Sequence, residues 1–272
     1  MMGLRLCVCC CTYGRPNLLP RVIACFRRQD YNDCYLFIVD DGSQYMEPGC
    51  VELYPGDNIG IASGMPRFPS LGAKRNWAAK HAEGAGFDAF LPCDDDDLFL
   101  PWHLSATAAA LEKAEWSRPS VVLTPTQILD PTTGIVGEHP GVFEQHYTGH
   151  REDQTRERMY HPSWGIRIEA FNRVGGYPED QSGPEDACLM RKMEAAGVTQ
   201  ADPITLGYRP SYVHCWTAGQ SISSFLGPAD PLGKAAWERM GKPLPPAKLE
   251  KWEPTFDLAN PVILPGVLKR GF

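Results

Sequence analysis

No apolar run in this 272-residue chain reaches the ~18 residues that a membrane-spanning helix needs. Cations are not in surplus either. Lys plus Arg is 26 against 33 for Asp plus Glu, a net charge of −7, which argues against broad nucleic-acid binding while allowing a local basic patch. No internal repeat and no low-complexity tract is present. No G-x-G-x-x-G follows any strand-like run, which weakens a dinucleotide-dependent oxidoreductase reading. The start, with one Arg and a short apolar run before a turn, lacks a small-residue cleavage site and does not read as a signal peptide. Cysteine is abundant, at 10, but Cys7 and Cys10 form a C-x-x-C with no second pair to complete a metal site. In a strand these two lie about 10 Å apart on opposite faces, too far for a disulfide. The thiols therefore read as small buried hydrophobes in a reducing compartment. The expected location is the cytoplasm, with a peripheral position at a membrane left open.

Hydrophobic residues make up 43% and charged residues 22%, the balance of a folded globular chain. Its length suits one large domain or two small ones. Gly at 26 and Pro at 25 punctuate it heavily. The first half still alternates. Strands are expected at 5–11, 35–39, 89–92 and 121–125, with a short one at 50–53. Helices are expected at 18–28, 71–83 and 102–116. Leu18, Val22 and Phe26 recur at helical spacing and predict one buried stripe. This order predicts an α/β fold with a mainly parallel sheet flanked by helices. The second half is looser. Residues 127–162 read as loop, helices are expected at 168–174 and 184–196, and strands at 204–208 and 212–214. Beyond 227 the chain is Pro-rich, with one helix expected at 232–240.

Acids cluster where strands end. Asp94-Asp95-Asp96-Asp97 follows a buried strand directly. Four adjacent aspartates repel one another, yet the C-terminal edge of a parallel sheet is where α/β proteins bind ligands. Two carboxylates two residues apart can share a hard dication; a solvated acidic turn is the plainer alternative. Asp40-Asp41-Gly42-Ser43 closes another strand and could meet a nucleobase or ribose, or be a simple Asp-Gly turn. Gly183-Pro184-Glu185-Asp186 opens a helix. The macrodipole alone favours acids there, but a carboxylate held ionised at that point could also serve as a general base. His214 sits in a strand-like stretch, where a histidine is more often a satisfied core or edge residue than a ligand.

The order of these pieces carries more than any one of them. Thr12-Tyr13-Gly14-Arg15-Pro16, Asp40-Asp41-Gly42-Ser43, Leu71-Gly72-Ala73-Lys74-Arg75-Asn76, the aspartate run with Pro101 behind it, Arg173-Val174-Gly175-Gly176-Tyr177-Pro178 and Glu185-Asp186 follow in turn. Over residues 4–216 this succession resembles the inverting GT-A glycosyltransferases of family 2. The resemblance implies a Rossmann-like GT-A fold. Residues 1–126 would form the nucleotide-sugar half, 127–227 a smaller acceptor and catalytic-base half, and 228–272 a Pro-rich extension through which copies could pair. It implies transfer from a nucleotide-sugar, a UDP-sugar by family preference, to a hydroxyl of a glycan, a lipid-linked or another acceptor, with inversion. Thr12, Tyr13, Arg15, Asp40, Asp41 and Arg75 would line the nucleotide, Arg75 near the base or diphosphate. Asp96 would bind Mn2+ or Mg2+, helped by Asp94 on the ribose or metal and by His214 as third ligand. Asp95 fills the variable slot on the nucleotide side, and Asp97 a capping or supporting place. Asp186 would be the base, and Glu185 would bond the acceptor or orient the site. Trp164, Gly176, Tyr177 and Trp102 would form an acceptor platform; core packing accounts for such aromatics equally well. Two departures stand out: 56–70 is long and Gly- and Pro-rich, and 127–162 carries His139, His146, His150 and His161, which a solvated loop explains better than a second metal site. A sugar-nucleotide nucleotidyltransferase would want a richer glycine loop after the first strand. A non-catalytic sugar-nucleotide or glycan binder would not need intact acids at 94, 96 and 186.

Overall fold

The structure, a computed structural model, describes residues 3–13, 18–42, 51–54, 58–129, 136–148, 160–180, 185–215 and 262–264. The first strand, β1 (Leu6–Thr12), is buried along its whole length. It is followed by α1 (Leu19–Arg27), whose Pro20 lies in the first turn, where its missing N–H costs nothing. Leu18, Val22 and Phe26 are all buried, as their spacing predicts, and each such side chain contributes about 1.5–3 kcal/mol. Then come β2 (Cys34–Asp40), β3 (Val51–Tyr54), β4 (Ile59–Ser63), α2 (Leu71–Gly84), β5 (Ala89–Asp94), β6 (Leu98–Phe99), α3 (His103–Leu111), β7 (Trp116–Ser117), β8 (Val121–Leu129) and β9 (Val136–Tyr147). The described chain continues through β10 (Gly165–Arg167), α4 (Ile168–Arg173), α5 (Glu185–Ala195), β11 (Gln200–Ala201), β12 (Tyr212–Val213) and β13 (Val262–Leu264).

Among the described residues an eight-stranded sheet runs β11-β7-β10-β5-β1-β2-β4-β3, and a five-stranded one runs β13-β9-β8-β12-β6. In the larger sheet β1 is parallel to β2 and β5, and β2 is parallel to β4. Register matters more than order. Thr12 lies opposite Asp40, Cys11 opposite Asp94, and Asp40 opposite Ser63, so four strands end level at one rim. The pleat sends Leu6, Val8 and Cys10 into one core with α1 and α3, and Cys7 and Cys9 into the other with α2, α4 and α5. Cys7 and Cys10 thus sit on opposite faces, and the described cysteines are free thiols.

Several sequence expectations are corrected. The helix expected at 102–116 stops at Leu111, and Trp116 enters the sheet. Residues 204–208 form turns, not a strand, because Asp202 accepts the N–H groups of Ile204 and Thr205 and Gly207 takes a φ of +91°. Much of 127–162 is strand. β8 and β9 pair antiparallel, with a register shift between Pro125 and Gln127 that absorbs the irregular sequence. β4 was hidden inside the Gly- and Pro-rich stretch. Arg15, His150, the helix expected at 232–240 and nearly all of 228–272 lie outside the described residues.

Candidate active site

The site is organised by one turn of α2. Ser70 caps the helix, its hydroxyl accepting the N–H of Ala73 at 3.0 Å. The three residues that follow each reach a different partner. Lys74 is fully buried; its Nζ donates to the Thr12 carbonyl and to Asp41 Oδ1, both at 2.6 Å, fastening α2 to the ends of β1 and β2. Removing one partner of such a buried pair costs about 3–5 kcal/mol. Arg75 donates from Nη1 to Glu185 Oε1 at 2.6 Å and from Nη2 to Asp94 Oδ1 at 2.9 Å. Asn76 acts as a surrogate backbone: its amide accepts the Tyr177 N–H at 2.9 Å and donates to the Tyr177 carbonyl at 3.0 Å. The close approach requires glycine twice. A Cβ on Gly72 would collide with the Pro178 carbonyl oxygen, and one on Gly176, at φ +64°, would sit 2.6 Å from Asn76 Oδ1.

Against this frame the acids converge. Asp94, Asp96 and Asp97 can each present an oxygen, all within 4.8 Å of one another. Burial and the charges of Asp96, Asp97 and Asp95 push Asp94 up to about 7, against the downward pull of Arg75. Asp97 is buried behind the other two. It accepts the Cys215 N–H at 2.8 Å and the Tyr212 hydroxyl, and lies 3.2 Å from His214 Nδ1. Burial pulls His214 down, but the bond to Asp97 and the nearby acid charges outweigh it and raise its pKa. Asp186 lies in the first turn of α5 next to Glu185, its Oδ1 accepting the Ala187 N–H at 2.6 Å.

Residues 7–174 match the family described as Glycosyl transferase family 2. The chain belongs to that family. A curated relative in Bacillus subtilis (strain 168), the uncharacterized glycosyltransferase YwdF, is 30% identical over 105 residues. That match covers 39% of this chain and 37% of YwdF. Among solved structures, S. aureus TarS 1-349 in complex with UDP-GlcNAc superposes with a TM-score of 0.54 at 16% identity, over 80% of this chain and 60% of that one. S. aureus TarS in another crystal structure gives 0.51 at 17% identity, over 79% of this chain and 37% of that one. The chain thus spans less than two thirds of the length of each of these relatives. At such identities the structural likeness concerns the fold.

Within this family 2 chain, the expected donor-side, metal and base residues that are described fall into three groups. Asp94, Asp96, Glu185 and Asp186 are brought to the same rim as Arg75. His214 reaches the cluster through Asp97, which was expected in a capping or supporting place and lies with the acid group, held by Tyr212 and Cys215. Thr12, Asp40, Asp41 and Asp95 are buried and tie the rim together: Thr12 Oγ1 donates to Asp95 Oδ2 at 2.6 Å, and Asp40 accepts from Ser63 Oγ at 2.6 Å and from the Gly42 N–H at 2.9 Å. Asp41 also accepts from Arg67 and from the Phe68 N–H, both at 3.1 Å, and Arg67 covers the Tyr13 ring at 3.3 Å.

The aromatic platform is corrected. Trp164 is 2% exposed, edge-on to Trp116 and His161, so no face remains for a sugar. Tyr177 is 1% exposed beneath Arg75. Trp102 lies beside the far end of α1, where the Asp30 N–H reaches the Pro101 carbonyl, and Arg209 covers its ring at 4.0 Å. Gly176 contributes backbone shape, not a surface. His161, expected in a solvated loop, is buried with Nε2 2.5 Å from the Tyr177 hydroxyl. Sequence reasoning assigned no role to Lys74, Asn76, Ser63 or Tyr212. The compact Gly-Ala-Lys-Arg-Asn run at a helix start was the available signal for the first two.

Proposed function

We propose that this chain is a metal-assisted, inverting glycosyltransferase that moves a sugar from a nucleotide-sugar to an acceptor hydroxyl, with Asp186 as the general base. The observation that carries this reading is the convergence of Asp94, Asp96 and Asp97 with the Glu185-Asp186 turn at one rim of a parallel sheet. The fit to a dication is chemical. The three groups offer only carboxylate oxygen, the donor type that Mg2+ and Mn2+ prefer. Held by Asp94, Asp96 and Asp97, with His214 behind Asp97, such an ion would supply neutralisation for the charge growing on a departing diphosphate.

The chain's own residues do the rest. The rim at Thr12, Tyr13, Asp40 and Asp41 forms the nucleoside side. Asp186, in the first turn of α5 at the positive end of its macrodipole, takes the proton from the attacking hydroxyl as the new bond forms. Attack from the face opposite the leaving group inverts the anomeric centre. In this reading residues 1–126 hold the donor, 127–227 supply the base and the acceptor side, and 228–272 extend from them in a reducing compartment. The UDP-GlcNAc and UDP complexes of TarS make UDP-sugars the first donors to test.

Thermal denaturation with UDP, GDP, UDP-GlcNAc and GDP-mannose, with and without Mn2+, tests the proposal. A ligand at 100 times its Kd adds about 2.7 kcal/mol, a rise of roughly 5–10 °C for a chain of this size. The rise should be largest with nucleotide and Mn2+ together, and Asp96→Asn should lose the Mn2+-dependent part. No rise with any of these pairs would sink the reading.

A further inference from the structure

Arg75 joins two carboxylates that come from opposite sides of the site. Asp94 ends β5, and Glu185 begins α5, 110 residues after Arg75 in sequence. A planar guanidinium fork can serve both at once, each through a different Nη; a lysine ammonium is a single point charge and cannot bridge them in the same plane. The group is 8% exposed, so these bonds are little screened by water. Its setting is rigid. The guanidinium carbon lies 5.8 Å from the Tyr177 ring centre, the Tyr177 hydroxyl meets buried His161, and Asn76, the next residue along, clamps the Tyr177 backbone. Without a cation between them, Asp94 and Glu185 would repel, and the first turn of α5 would lose its tie to the end of β5.

We infer that Arg75 is a positioning residue that locks the Glu185-Asp186 turn to Asp94, so that the base and the leaving-group side of the cleft keep one register. The sequence resemblance placed Arg75 against the base or diphosphate; here both terminal nitrogens are committed to protein acids. The inference rests on the proposed role of Asp186. Its action is indirect, on the distance between two groups that must work on one substrate, and a displacement of 1 Å in such a geometry costs about 10²-fold in rate.

The test follows nucleotide release from UDP-GlcNAc, UDP-glucose and GDP-mannose with Mn2+, alongside calorimetric binding of UDP with Mn2+. In Arg75→Ala, kcat should fall about 10²-fold, with KM and UDP affinity within about threefold of wild type. Millimolar guanidinium should restore at least about tenfold of the lost turnover, and methylammonium should not, because only the former has the fork. Arg75→Lys should remain near the alanine level, and serves the same purpose if the alanine variant does not fold. In a Glu185→Gln background the further loss on Arg75→Lys should shrink by about tenfold, since the two act as a unit. A raised KM or weakened UDP binding with kcat intact would put Arg75 on the donor and overturn the inference alone. So would full activity of Arg75→Lys. No release from any donor by the wild type would remove the proposed function, and this inference with it.

Discussion

Asp186 and Glu185 are neighbours with different surroundings. Glu185 is 5% exposed and paired to Arg75, so its charge is already committed. Asp186 is half-buried with a backbone N–H on one oxygen, which suits a group that must meet a substrate. Asp186→Asn keeps size and the bond to Ala187 while removing the proton acceptor. Turnover should drop by at least about 10²-fold, the scale of a general base, with UDP binding by calorimetry unchanged. Near-normal nucleotide release would remove Asp186 from that role. At this scale the acids were legible because a carboxylate after a buried strand or at a helix start is conspicuous in one dimension. Their partners were not. Nothing local in the sequence says that Arg75 meets an acid 110 positions on, or that Asp97 turns toward Tyr212 and Cys215. Trp164 shows the reverse error: a tryptophan near candidate acids suggests a sugar platform until Trp116 and His161 are seen to enclose it.

Helix α2 is the element through which strand ends, acids and the 175–178 turn are held in one frame. Its first turn packs so closely on that turn that Gly72 has no room for a methyl group against the Pro178 carbonyl. Backbone cannot rotate away as a side chain can. Gly72→Ala should therefore lower stability by about 1–3 kcal/mol, read as a shift in the urea midpoint, and should lower turnover too, because Arg75 moves with the helix. Gly84→Ala, at the other end of α2 where a Cβ meets nothing within 4 Å, should instead gain up to about 1 kcal/mol. Equal effects at the two glycines would contradict this packing argument. The same contrast explains which elements could be read in advance. β1, β2 and β5 are continuous apolar runs, and α1 has a stripe; each is specified by its own residues. β9 contains Gly137, Pro140 and Gly141, and β10 is three residues long, so both exist because a neighbouring strand offers hydrogen bonds. Pairing of that kind has no local signature.

Over the whole molecule, opposite titrations are set against each other. Burial holds His103 down at about 3 and His161 well below its ordinary value, so both are neutral in the fold. A histidine depressed by folding favours the folded state above its unfolded pKa of about 6.5, and that advantage is lost as pH falls toward the folded value. Asp94, raised to about 7, has the contrary sign: its ionised form is disfavoured in the fold, and the penalty is relieved as pH drops through that value. His214, also raised, likewise favours the fold at lower pH. In metal-free buffer these groups therefore pull wild-type stability in opposite directions between pH 7.5 and 5.5. Substitution separates them. His103 reaches Ser211 through Nδ1 at 2.9 Å, a bond that His103→Gln can retain without titrating. From pH 7.5 to 5.5 the wild type should lose about 1.4 kcal/mol relative to His103→Gln, since over that range the unfolded histidine gains a tenfold advantage in proton binding that the folded one cannot share. Urea denaturation of both proteins at the two pH values measures the difference directly. Parallel stability curves would mean that His103 accepts a proton in the folded state and that the apolar core around α3 is wetter than its packing indicates.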